Sequence, residues 1–254
     1  MDTAGAVIGP LLALTILVAR PGTPLQWLFL VALIPGLLSA SLAAIAVRDV
    51  PHEKDATAKP PSLFLHYPWP LWHLILAATL FSLGNSSDSF LILRSKQIGL
   101  TLPRVILAYC LYNAVYAAAA LPLGRVSDRI GRKPVIVAGF VVYAVVYLGF
   151  SMAKSITAPW VLLAVYGLYQ ALTEGVTKAM IADVAPREQR AGAIGLFYTL
   201  TGVGQLAASL AAGALWDVRL FHGSVMLSFL LGSICATAAI PLMATVRIAR
   251  TDDH

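Results

Sequence analysis

Residues 124–134 read GRVSDRIGRKP, the densest cluster of charge in a sequence that otherwise consists largely of long apolar runs. Because apolar segments long enough to span a membrane flank this stretch, it predicts a tight hydrophilic turn at a membrane surface. Its four cations favour the cytoplasmic side. Gly124 and Gly131 permit backbone conformations that a side chain would block, and Pro134 suits the first turn of a following helix.

This stretch resembles the signature loop of the major facilitator superfamily of secondary transporters, which reads G-x-L-(A/S)-D-R-x-G-R-K. Val126 replaces the usual Leu, while the other defining positions match: Gly124, Ser127, Asp128, Arg129, Gly131, Arg132 and Lys133. The plain alternative is a short loop that only collects cations, but the positive-inside rule predicts charge and not this Gly/Asp spacing. The resemblance implies a latch that holds helix ends together in one transport state and releases them in another. Its residues are Gly124, Asp128, Arg129, Gly131, Arg132 and Lys133.

The composition predicts an all-α integral membrane protein. The chain has 254 residues, of which 59% are hydrophobic and 12% charged, whereas soluble domains carry about 25% charged residues. The net charge of +6 resides mostly in short loops, which suits membrane orientation and lipid headgroups better than nucleic acid. We therefore expect membrane lipid as a partner and no nucleic acid. About eight transmembrane spans can be read, at residues 2–19, 25–47, 71–93, 103–123, 134–152, 158–182, 192–216 and 223–247.

A polar, proline-rich segment at residues 48–70 interrupts these spans and predicts a solvated linker. The resemblance implies three parts: 1–50 as the last two helices of an amino-terminal half, 51–70 as the cytoplasmic linker, and 71–254 as a six-helix carboxy-terminal half with a short tail. The chain would then be a truncated, partial form that begins near helix five of twelve and needs the missing helices or another copy. Counting from the signature loop places the carboxy-terminus in the cytoplasm and the protein in the cell (inner) membrane.

The first apolar segment contains Gly5, Gly9 and Pro10. Small residues four apart allow helices to approach closely, and a proline inside a helix kinks it. Gly-Pro patterns of this kind resemble the fifth helix of antiporter-type members of the superfamily. An ordinary glycine-rich packing face explains the same residues equally well. A further group of small and hydroxyl residues in the span 192–216, which includes Thr201, Gln205 and Ser209, predicts helix packing.

Ionisable side chains inside a membrane span are costly and are usually functional. Asp88 follows Asn85 in the span 71–93, toward the far end of that helix, where its carboxylate would bind a proton or a cation. The alternative is a structural partner for Arg94 or for a neighbouring helix, since buried ions are often simply paired.

The span 158–182 carries a polar stripe at three- and four-residue spacing, which includes Tyr166, Tyr169, Gln170, Thr173, Glu174 and Lys178. In lipid such a stripe must face the protein interior or a water-filled cavity. Glu174 and Lys178 stand in the favourable order for an intrahelical ion pair. The stripe therefore predicts either a cavity wall that holds substrate, with a proton site at Glu174, or a self-neutralising pair that packs against the partner half. Its length favours the cavity.

The sequence predicts a transporter rather than an enzyme. It contains no P-loop, G-x-S-x-G elbow or HExxH motif, and no two of its five histidines have metal-ligand spacing, so we expect neither cofactor nor metal. The predicted function is alternating-access transport of a small solute, with proton coupling suggested by Asp88 and Glu174. The alternative is a non-transporting membrane binding or accessory protein, or an inactive fragment. A sugar, a drug or an organic ion would suit the mixed polar stripe.

Overall fold

The computed structural model describes residues 2–20, 25–46, 67–217 and 224–246, and these ranges contain α-helices and no strand. Linkers and turns between the helices are short after residue 67. A single 3-10 turn, Arg187–Gln189, precedes α8. The helices are α1 Asp2–Ala19, α2 Leu25–Ala46, α3 Trp69–Ser82, α4 Ser89–Ile98, α5 Leu102–Ile130, α6 Arg132–Met152, α7 Ala158–Val184, α8 Arg190–Trp216 and α9 Val225–Thr245.

Length and apolarity identify four of the described helices as able to cross a membrane: α5, α6, α8 and α9. Shorter apolar stretches lie in α1, α2 and α3. α7 is as long as α8, but the polar residues of its stripe reduce its apolarity. The predicted all-α membrane protein is confirmed at this level.

The core is formed where α6 packs against α7 and α9, with α5 against α7 and α3 against α8 and α9. Aromatic side chains dominate its centre, because large flat rings fill the space between helices at little conformational cost. The rings of Tyr143 and Tyr147 stack with centroids 4.1 Å apart, as do those of Phe81 and Phe140. This aromatic core lies beside the polar stripe of α7 and holds it in place.

The amino-terminal helices are attached to this core through α1, which packs against α5. A Cβ atom built at Gly5 or Gly9 would meet no atom within 4 Å, so no described helix approaches α1 closely at these positions. Pro10 lies inside α1. The role of these three residues in helix packing stays a prediction. The predicted linker lies outside the described residues except for its last four, 67–70.

The predicted single span 71–93 is wrong, because the structure divides it into α3 and α4 with a non-helical break at residues 83–88. Gly84 lies so close to α9 that a Cβ there would be 2.7 Å from the carbonyl oxygen of Gly232. The following Asn85-Ser86-Ser87-Asp88 run has short polar side chains that compete with the helix for backbone hydrogen bonds. One such bond is seen where the Ser87 hydroxyl accepts from the amide of Ser89 at 3.3 Å.

The predicted turn at 124–133 is also wrong in its extent, since α5 continues to Ile130 and α6 begins at Arg132. The chain reverses at Gly131 alone, whose φ of +95° belongs to the region that favours glycine. Ser127 is buried in the helical part and donates a hydrogen bond to the Gly124 carbonyl at 2.7 Å. Pro134 falls in the first turn of α6, as predicted. Helical backbone therefore presents the charges of this stretch in a fixed arrangement.

Candidate functional site

A polar cavity lies between α3, the helix break, α7 and α8. It has two lobes of about 280 and 420 Å³, which share Asn85, Gln170 and Gln205 in their walls. We call the first the aromatic lobe, because its lining includes Phe81, Phe140, Tyr169, Phe197 and Tyr198. The second, the acidic lobe, is lined by Asn85, Ser86, Ser87, Asp88, Tyr166, Gln170, Gln205, Leu206 and Ser209. The eight candidate pathway residues all lie in the walls of these two lobes: Asn85, Asp88, Tyr166, Tyr169, Gln170, Thr173, Glu174 and Lys178.

Asp88 reaches the acidic lobe from the end of the helix break, directly before α4. Its carboxylate accepts a hydrogen bond of 2.8 Å from the hydroxyl of Tyr166, which is 2% exposed. Of the two predicted structural partners, Arg94 makes no ion pair with Asp88, whereas the neighbouring helix α7 contacts it through Tyr166. The Arg94 guanidinium instead donates to the carbonyls of Phe150 and Ala153, at 3.2 and 3.0 Å, at the end of α6. Among the described residues no cation forms an ion pair with Asp88.

Glu174 occupies the wall of the aromatic lobe and has three hydrogen-bond donors. They are the ammonium of Lys178 at 3.1 Å, the hydroxyl of Tyr116 at 2.8 Å and the amide of Gln170 at 3.0 Å. The Lys178 ammonium also lies 5.8 Å from the centre of the Tyr198 ring, within range of a cation–π interaction. The intrahelical pair and the cavity wall, which the sequence offered as alternatives, are thus present together.

The remaining polar residues of the stripe connect α7 to the helix break. The Asn85 amide donates to the Tyr169 hydroxyl at 3.3 Å, and Thr173 donates to the Tyr169 carbonyl at 2.9 Å. Because its hydroxyl is bound to its own helix, Thr173 presents mainly its methyl group to its surroundings. Asn85 therefore links the two lobes, while Thr173 shapes the wall.

Two tyrosines of α6 contact the backbone of the helix break, and the sequence analysis did not identify them. The buried Tyr143 hydroxyl donates to the Gly84 carbonyl at 2.8 Å, and the Tyr147 hydroxyl lies 3.5 Å from the Ser86 carbonyl. These bonds give side-chain partners to carbonyls of the interrupted helix, and the Gly84 carbonyl also accepts from the Ser86 amide at 3.2 Å. Non-helical backbone within a membrane protein requires such partners. Their spacing of four residues on an apolar helix was a usable signal.

Other cavity residues were missed or assigned differently. Tyr116 lies three and four residues from Asn113 and Tyr112 on α5, a second polar stripe that periodicity could have found. On α8, Thr201 and Gln205 line the aromatic lobe, so the sequence's assignment of this helix to packing alone is incomplete. Gly204 does pack, since a Cβ there would collide with Ser82 of α3.

The signature stretch joins three helix ends at one end of the bundle. The Arg132 guanidinium lies 2.8 Å from the carboxylate of Asp183 in α7 and 3.9 Å from that of Asp128. Lys133 donates to the carbonyls of Ala244 and Val246 at 3.0 and 3.1 Å, at the end of α9. The signature stretch, the end of α7 and the end of α9 are thus brought together at one end of the bundle.

Metal chemistry has no evident place among these residues. Within the ranges that the structure describes, no three His, Cys, Asp or Glu side chains form a group that could hold a metal ion. A helical bundle with a broken helix and a polar interior cavity is an arrangement that many membrane transporters share.

Comparison with known proteins agrees with this class. The model of the Major Facilitator Superfamily matches residues 88–252. An uncharacterised MFS-type transporter of Methanocaldococcus jannaschii is 35% identical over 243 residues, which cover 92% of this chain and 59% of that relative. The class C tetracycline resistance protein of Escherichia coli is 36% identical over 115 residues, or 43% of this chain and 28% of that protein. A Na(+), Li(+), K(+)/H(+) antiporter of Planococcus maritimus is 32% identical over 109 residues, or 41% of this chain and 24% of that protein.

The chain belongs to the Major Facilitator Superfamily, of which it represents a carboxy-terminal part. It is accordingly an integral membrane protein in contact with lipid. It spans about 59% of the length of the archaeal relative.

Proposed function

We propose that this chain is the carboxy-terminal part of a permease, not an enzyme, that moves a small solute by alternating access and is coupled to protons. The supporting observation is the two-lobed cavity beside the helix break, with Asp88 at one end and Glu174 in the other lobe. Transporters of this kind commonly bind substrate and coupling ion where discontinuous helices meet at the bundle interior. In this proposal, residues 1–50 form the last two helices of the first half, residues 51–70 form the linker, and residues 71–254 form the second half.

The two carboxylates differ in their surroundings, which bears on proton coupling. Glu174 accepts from three donors, one of them the cation of Lys178, whereas a single neutral hydroxyl, that of Tyr166, donates to Asp88. Hydrogen bonds and nearby cations favour the ionised form of a carboxylate. Asp88 is therefore the better candidate for a group that takes up and releases a proton during transport, and Glu174 for a fixed member of the cavity wall.

The signature stretch acts in this proposal as a latch on the cytoplasmic side of the cell membrane, with the carboxy-terminus on the same side. Its bonds connect the ends of α6, α7 and α9, so their release would free three helix ends together. Gly124, Arg129 and Gly131 shape and charge the connection, while Asp128, Arg132 and Lys133 make its contacts.

The test is a proton-flux measurement in everted membrane vesicles with an acridine-orange readout of the pH gradient. The chain alone is compared with a fusion in which the amino-terminal part of the archaeal relative supplies the first helices. Na⁺, K⁺ and tetracycline, the solutes in the relatives' names, serve as probes. We expect the fusion to dissipate the gradient when one of these probes is added, and the Asp88→Asn fusion to lose this response.

A response that survives in the Asp88→Asn, Glu174→Gln double variant would remove proton coupling through these groups. A correctly inserted fusion that moves neither protons nor any probe would instead support the accessory or inactive alternative. Transport by the chain alone would mean that a second copy completes it.

A further inference from the structure

Building on the proposed transport function, we propose that the cavity selects a monovalent organic cation with an aromatic or apolar body. Its charge lies against Asp88 in the acidic lobe, and its body occupies the aromatic lobe. The shared residues Asn85, Gln170 and Gln205 form the passage between charge and body.

The charge of the walls favours a cation. Three charged side chains line the two lobes, namely Asp88, Glu174 and Lys178. Glu174 and Lys178 neutralise each other at 3.1 Å, which leaves the carboxylate of Asp88 as the excess charge. The hydroxyl of Tyr166 that donates to this carboxylate is uncharged. The acidic lobe therefore keeps a net negative charge, which a single positive group would balance. Two charges held a few ångströms apart in such surroundings attract one another far more strongly than in water.

The rings in the walls favour an aromatic or apolar body. Phe81, Phe140, Tyr169, Phe197 and Tyr198 surround the aromatic lobe, and faces of aromatic rings attract both apolar groups and cations. Lys178 already shows the second effect, since its ammonium lies 5.8 Å from the ring centre of Tyr198. An anion would be repelled by the carboxylate of Asp88.

The size of the cavity fits a compact drug-sized amine. The lobes of about 280 and 420 Å³ adjoin one another through their shared residues, and small-molecule sites typically measure roughly 300–1,000 Å³. A small inorganic ion such as Na⁺ would fill only the acidic lobe and would make no use of the rings.

The experiment measures binding of radiolabelled tetraphenylphosphonium to the full 254-residue chain in detergent by scintillation proximity. We expect saturable binding that unlabelled tetraphenylphosphonium displaces and that the neutral triphenylphosphine oxide does not. Asp88→Asn should weaken the affinity roughly tenfold or more, because it removes the excess charge without changing shape. Asp217→Asn, a carboxylate outside the cavity lining, is the matched control and should bind as the unaltered chain does.

Tyr166→Phe keeps the measurement decisive if Asp88→Asn fails to fold. It removes the hydrogen bond to the carboxylate and leaves the charge free to pair with the ligand, so the affinity should rise. A loss of binding would count against Asp88 as the counter-charge. Any of three results would overturn the proposal. They are displacement by triphenylphosphine oxide as effective as by tetraphenylphosphonium, undiminished binding by Asp88→Asn, and full displacement by Na⁺ at equal concentration.

Binding at equilibrium needs no transport cycle, so its failure can be told apart from failure of the proposed function. One outcome is that the chain does not bind tetraphenylphosphonium while the fusion still shows a proton-flux response to another probe. That outcome would refute the organic-cation site but not the proposed transport function. Specific, Asp88-dependent binding in a chain whose fusion moves no protons would support the site and contradict the coupled cycle.

Discussion

The hydroxyl of Tyr166 in α7 donates a 2.8 Å hydrogen bond to the carboxylate of Asp88, which directly precedes α4. This bond ties the helix break to the polar stripe, 78 residues away along the chain. It places the acidic group of the break within the same cavity as Gln170. The break and the stripe thus form one site rather than two.

Removing the support behind the break should destabilise the protein. Tyr143→Phe removes the 2.8 Å bond to the buried Gly84 carbonyl and leaves that carbonyl only its 3.2 Å bond from the Ser86 amide, which costs about 0.5–1.5 kcal/mol. We expect a lower midpoint of thermal unfolding in detergent. Tyr147→Phe is the graded control, because its hydroxyl lies 3.5 Å from the Ser86 carbonyl and contributes less. A larger loss for Tyr147→Phe would contradict this ranking.

The close approach of the break to α9 should not tolerate a side chain. Gly84→Ala would place a Cβ 2.6 Å from that of Cys235 and 2.7 Å from the Gly232 oxygen, and overpacking of this kind costs roughly 1–3 kcal/mol. Gly213→Ala in α8 meets nothing within 4 Å and should be neutral or slightly stabilising, since alanine favours helix. Unfolding midpoints of the two variants provide the comparison, and equal midpoints would argue against the contact.

The latch should depend on Asp183 more than on Asp128. The Arg132 guanidinium lies 2.8 Å from Asp183 but 3.9 Å from Asp128. Because Asp183 is half exposed, its loss should cost at most about 1 kcal/mol of stability, so the effect belongs to transport rate. In the fusion, Asp183→Asn should slow the proton-flux response severalfold and Asp128→Asn less. The exchanged pair Arg132→Asp with Asp183→Arg should recover part of the rate, and no recovery would count against a direct pair.

Lys133 should hold the end of α9. Its ammonium donates to the carbonyls of Ala244, in the last turn of α9, and of Val246, directly after it. A cation at a helix carboxy-terminus is favourable by about 0.3–1 kcal/mol. Lys133→Met should increase amide hydrogen exchange in the last turn of α9. Arg129→Met, at an exposed position nearby, should leave that exchange unchanged. Identical exchange in both variants would show that the cap contributes nothing.

Much of the architecture could be predicted from the sequence, because membrane spans are recognisable by their length and apolarity. The spans 134–152 and 192–216 lie within two residues of α6 and α8 at each end. The Gly/Asp spacing identified the signature stretch, but it did not predict that the backbone there is helical. A helix that projects beyond the apolar region has the same polar composition as a turn. The break at residues 83–88 was hidden for the opposite reason, since its polar residues are few and apolar residues surround them.

Sequence alone determined that this chain is a helical membrane protein of the transporter class, and periodicity selected the polar face of α7. Tertiary structure decided what each charge touches. Periodicity can place Glu174 beside Lys178 because both lie on one helix. It cannot bring Asp88 to Tyr166, Arg94 to the end of α6 or Arg132 to Asp183, because those contacts depend on how separate helices pack and where one of them breaks.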